Sequence, residues 1–101
     1  MASTRADLDM GTALVRRALV PYNQKPDEAE IDTLVGDLMR HGEFLLADVA
    51  PLDEAAAALG DWAALVRDGP EDTALGTWNH ARALARTVRS LHRALHHASS
   101  Q

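Results

Sequence analysis

A chain of 101 residues with a net charge of −5, 47% hydrophobic residues and no cysteine has room for one domain around one core. The missing thiols exclude a disulfide, a thiolate nucleophile and a cysteine-based zinc site. Aromatics are 4% of the chain and the apolar content is mainly Ala, Leu and Val, a composition that favours helices over sheets. No apolar run reaches the ~18 residues of a membrane span. The opening MASTRADLDM has no apolar signal-peptide core. The expectation is a cytoplasmic, soluble domain over residues 1–101, frayed at 1–4 and 98–101, with no membrane partner. Its charge is segregated: residues 1–26 carry +2, residues 27–72 carry −11, and residues 73–101, which lack any acid, carry +4. Such a polarity can hold a molecule together or present two faces to two partners.

The first helix is expected over about 5–20, capped by Thr4 or Asp7. Leu8, Val15, Ala18 and Leu19 share one face, with Leu14 beside it. Gly11 weakens the middle of this helix, and Pro21 ends it by pushing the preceding residue out of α geometry. Pro21–Pro26 reads as a linker in which Tyr22 either folds back on the core or stays exposed.

The second helix, about 27–50, is the stretch around which the rest is expected to pack. Ile31, Val35, Leu38, Gly42, Leu45 and Val49 recur at steps of four and three, the seam of an amphipathic helix. Asp27 with Glu30 three residues later resembles a capping box. Glu28, Glu30 and Asp32 suit the positive end of the helix dipole. Gly42 leaves a gap on the seam where another helix can approach.

Pro51 closes that helix and suits the first turn of a third, about 52–68, with Leu52, Ala55, Leu59, Trp62 and Val66 as its buried stripe and Leu65 widening it. Asp68-Gly69-Pro70 is a stop. The fourth helix, about 72–97, is capped by Asp72 or Thr73 and buries Ala74, Trp78, Ala81, Ala85, Val88 and Leu95, broadened by Leu75, Leu84 and Leu91. Four helices with short connections imply an all-α antiparallel four-helix bundle. Its core is expected to include Leu34, Val35, Leu38, Leu45, Leu59, Trp62, Trp78, Val88 and Leu91, with the two indoles close together.

Chemistry-bearing patterns are few. Arg82, Arg86, Arg89 and Arg93 recur at +4, +3 and +4, so their guanidinium groups share one helix face, a surface for phosphates, an acidic partner or the chain's own Asp37, Glu43, Asp48 or Asp61. His92 and His96 are an i, i+4 pair with metal-ligand spacing, but no carboxylate lies near them in sequence and the arginine row opposes a cation; the reading assigns no metal and no cofactor. His41, next to Gly42, is positioned to line a small pocket with Trp62 or Trp78. No catalytic set emerges: Glu43 and Asp48 are five apart and do not share a helix face, Glu71 and Asp72 suit a helix start, and Ser90 lacks the exposed elbow of a nucleophile.

Two segments carry a resemblance. DTLVGDLMRHGEFLLADV (Asp32–Val49) and HARALARTVRSL (His80–Leu91) are similar to segments of a family of small actinobacterial proteins of unknown function, often labelled "natural product biosynthesis protein". The centre here reads Arg40-His41-Gly42, with histidine and glycine exchanged relative to that family's pattern. The resemblance implies a place near biosynthetic genes and supplies no reaction or ligand.

The leading expectation is a non-enzymatic accessory protein that binds a protein partner, or a second copy of itself, through Arg82, Arg86, Arg89 and Arg93. The alternative is a small-ligand-binding or accessory catalytic bundle with a pocket at His41, Gly42, Trp62 and Trp78. A DNA-associated regulator using the arginine row ranks last, because the chain is acidic and the arginines have no aromatic platform beside them.

Overall fold

In a computed structural model that describes residues 5–99, the helices form where the apolar spacing places them. They are α1 (Arg5–Ala18), α2 (Glu28–Val49), α3 (Ala56–Asp68) and α4 (Ala74–Ser99), with single 3-10 turns at Tyr22–Gln24 and Asp53–Ala55. Among the described residues there is no strand, and the helices pack as an antiparallel four-helix bundle. No helix is long and apolar enough to cross a membrane among the described residues.

The helix ends follow from local chemistry. Asp27 accepts the Glu30 amide at 2.8 Å, one half of the expected capping box. Thr73, rather than Asp72, caps α4: its hydroxyl accepts the Gly76 amide at 2.8 Å. Gly69 ends α3 at φ 67, a left-handed conformation that costs a residue with a Cβ about 1 kcal/mol or more. Tyr22 stays exposed, with the Lys25 ammonium 5.9 Å from its ring centre. The proposed cap Thr4 and the frayed segment 1–4 lie outside the described residues, as do 100–101. Residues 98–99, expected to fray, instead continue α4.

The 26 residues of α4 rise roughly 39 Å, matching the molecule's 41 Å long axis. This helix, not α2, is the hub. It packs against α1, α2 and α3, with the α2–α4 interface the most extensive, whereas α3 leans mainly on α4. The reason is surface: α4 buries residues around much of its circumference, including His80 and Thr87 as well as Trp78, Ala81, Leu84, Ala85, Val88, Leu91 and Ala94. Its many alanines let three neighbours approach at once.

One cluster joins Leu34, Leu38, Leu45, Trp62, Trp78, Val88 and Leu91, all expected, with Val35 and Leu59 partly buried at its margin. Each such large aliphatic side chain contributes roughly 1.5–3 kcal/mol when fully buried. Two stripes are rotated from expectation. In α3 the buried side is Ala58 and Trp62, continuing from Ala55 in the turn before it, and Val66 is 38% exposed. At the start of α4, Ala74 and Leu75 face out, because Gly76 and Trp78 turn in.

Candidate functional site

Two histidines from different helices meet under α1. His41 on α2 and His92 on α4 bring their Nε2 atoms to 2.8 Å, with ring centres 5.0 Å apart and planes nearly perpendicular. At that distance one ring carries its proton on Nε2 and donates, while the other accepts with a bare Nε2. Both pKa values are lowered. Burial is the main cause at each; for His92, pushed down to about 4, the charge of His41 adds to it, whereas the Asp7 carboxylate opposes it at His41. With both pKa values lowered by burial, the pair is neutral at pH 7, and a doubly protonated pair would in addition set two donors head to head.

Gly11 makes this meeting possible. A Cβ built there would fall 2.0 Å from His41 Nε2, so α1 can lie across the ring only because position 11 is glycine. Gly11 is thus a close-approach residue on the buried seam Gly11, Leu14, Val15 and Ala18, not simply a weak point in the helix. Gly42 does the same for α3: a Cβ there would fall 2.1 Å from the Trp62 ring. The gap at Gly42 is therefore filled by indole and is not a cavity.

Either side of α1 opens a groove. The α1–α2 groove, about 320 Å³, has His41 and Leu14 at its base, Met10 and Phe44 on its walls and Asp37 and Arg40 at its edge. Met10 is 57% and Phe44 40% exposed, and Arg40 is ion-paired with Asp37. The α1–α4 groove, about 360 Å³, is lined by Val15, Leu19, Arg16, Arg89 and His92. The histidine pair thus connects the two: one ring borders each groove.

The expected pocket of His41, Gly42, Trp62 and Trp78 is not assembled. His41 faces a groove, Gly42 and Trp62 fill one another, and Trp78 is fully buried against the core with the Arg82 guanidinium 5.6 Å from its ring. Among the described residues no ring stacking joins the two indoles, and both Nε1 atoms are buried without a hydrogen-bond partner. His92 turns to His41, while the His96 ring is exposed and lies beside His97. Among the described residues no three His, Cys, Asp or Glu side chains converge to hold a metal ion.

The arginine row divides. Arg82 is half-buried and donates through Nη1 to the carbonyls of Ala18, at 3.1 Å, and Val20, at 2.7 Å. These carbonyls are helix-end acceptors left open where Pro21, lacking an N–H, stops the helix. Arg86, Arg89 and Arg93 stay exposed, and among the described residues no ion pair engages them. Arg86 shares a surface depression with Asp61 between α3 and α4. The acidic middle is tied to α4 elsewhere, by the His97 Nδ1 contact with Glu54 at 2.8 Å. Ser90 donates to the Arg86 carbonyl of its own helix.

Sequence reasoning missed the His41–His92 pair, because 51 positions separate its members. It also passed over Met10 and Phe44. Gly11 carried a usable signal: like Gly42, it sits on an apolar seam, the position where a glycine admits a bulky neighbour.

Set against known proteins, the chain matches, over residues 9–100, the model of a family described as a family of unknown function (DUF6415). That match runs well beyond the two segments that carry the resemblance noted above. No curated protein and no solved structure matches.

Proposed function

The chain belongs to this family of unknown function, and we propose that it is a non-enzymatic accessory protein that binds a protein partner through the face α1 builds with α2. One observation carries the reading: Met10 and Phe44 stand 57% and 40% exposed on either side of a concave groove. Large apolar side chains exposed around a concavity are what a partner's side chain can desolvate, and such anchors carry most of the energy of an interface. The Asp37–Arg40 pair at the groove's edge supplies a polar rim. Arg86, Arg89 and Arg93 form a second, electrostatic face suited to steering an acidic partner, while Arg82 serves α1.

The likeness of 32–49 and 80–91 to small actinobacterial proteins labelled for natural product biosynthesis favours a partner among biosynthetic enzymes; a second copy of the chain is the other candidate partner. A small apolar ligand in the same groove is the second reading, favoured by its volume of about 320 Å³, within the range of small-molecule pockets.

The test compares wild type with a Met10→Glu/Phe44→Glu variant whose helicity is verified by circular dichroism. A protein captured from native cell extract by wild type and lost by the variant supports the reading. So does a concentration-dependent dimer in light scattering that the variant abolishes. Identical captures together with monomers for both baits would refute it.

A further inference from the structure

The α1–α4 groove has a different chemistry from its neighbour. Its lining includes two guanidinium groups, Arg16 from α1 and Arg89 from α4, and no carboxylate. Among the described residues neither arginine is ion-paired. Both are exposed and face one concavity from opposite walls, so their charges repel and an anion between them relieves that repulsion. Between them lie Val15 and Leu19, apolar and at least partly buried, and the half-buried imidazole of His92. Arginine prefers oxyanions because its planar fork matches two oxygens at once. The volume, about 360 Å³, is small for a cofactor and suits a compact molecule.

We propose that this groove binds a small amphipathic oxyanion, a carboxylate or phosphate monoester on an apolar body, clasped by Arg16 and Arg89 with its apolar part over Val15 and Leu19. This site stands apart from the partner surface at Met10 and Phe44, and neither stands or falls with the other. The His92 ring, at its base, reports occupancy.

The experiment titrates the full-length protein with octanoate, octyl phosphate and, as the uncharged control, 1-octanol, following histidine ring and methyl resonances by NMR. Shifts are expected at His92, Val15 and Leu19, with an anion binding about tenfold or more tighter than the alcohol. Whichever anion binds more tightly identifies the headgroup. Arg16→Gln and Arg89→Gln are each expected to weaken binding about tenfold, whereas Arg17→Gln, on α1 and exposed but outside the groove, leaves it unchanged. Because all three arginines are exposed, the variants are expected to fold, and circular dichroism checks it. Equal affinity for alcohol and anions overturns the proposal without any variant. So do equal losses in all three variants, shifts confined to the α1–α2 groove, or no shift at millimolar ligand.

Discussion

Gly11 and Gly42 show how a missing side chain can be as specific as a present one. Each lies on an apolar seam, and each is filled from across the interface by a ring, His41 for Gly11 and Trp62 for Gly42. Gly11→Ala sets two effects against each other. Alanine favours the helix by about 1 kcal/mol, but its Cβ would fall on a ring that is 6% exposed and hydrogen-bonded to His92. Overpacking of this kind costs about 1–3 kcal/mol, and the ring cannot withdraw without leaving its partner. The net expectation is a loss of up to about 2 kcal/mol, read as a lower urea midpoint at unchanged m-value. In a His41→Ala background the clash is gone, so the same substitution should raise the midpoint instead. A loss in both backgrounds would show that the helix path, not the ring, requires glycine.

At the scale of elements, α1 is the cover of the bundle and Arg82 its fastening. The helix has only 14 residues, and its last carbonyls lack partners because Pro21 turns the chain away. Arg82 reaches from α4 to take one of them, Ala18, together with the Val20 carbonyl just past the helix end. Replacing it by Gln should cost about 1–2 kcal/mol, the lower part of the range for hydrogen bonds to a charged group, since the side chain is partly solvated. The loss should be local. Amide hydrogen exchange is expected to quicken in α1 while α2 and α4 keep their protection. Uniform quickening across all four helices would mean that α1 does not open on its own. The periodicity of the chain put Arg82 in a row with Arg86, Arg89 and Arg93, which was right for the helix face but silent about what lay above that face. Where α1 ends, and hence which arginine it covers, depends on a contact between residues 62 and 64 positions apart.

At the scale of the whole molecule, the histidine pair ties α2 to α4 beneath α1, so its titration bears on global stability. The pKa values of His41, His80 and His92 are all lowered in the fold, that of His92 to about 4, whereas an unfolded histidine titrates near ~6.5. Between those values the unfolded chain binds more protons than the native one. The contribution is therefore fully present above pH ~6.5 and is lost as the pH falls toward 4. Discounted for the partial exposure of His92, the loss between pH 7 and 5 should be on the order of 1–2 kcal/mol. Urea denaturation at the two pH values measures it, and a His41→Gln/His92→Gln variant should flatten the dependence. A wild-type profile that is already flat would show that the pair is not titrating in this range.

Most of the architecture was legible in the chain itself. The spacing of Ile31, Leu38, Leu45 and Val49, the Asp27 cap, and the prolines and Gly69 are local signals, each acting within a few residues, and they determined how many helices form and, to within a turn, where they start and stop. Val66 was misjudged because it sits at the edge of an apolar stripe, where periodicity cannot tell a core position from its margin. Only the tertiary structure decided which helix is the hub, that Trp62 fills the space at Gly42, and that His41 meets His92 between two grooves. Those outcomes depend on the rotation of each helix about its axis and on which surfaces face one another. Both are set by packing between distant segments, and the sequence carries no local mark of it beyond a glycine on a seam.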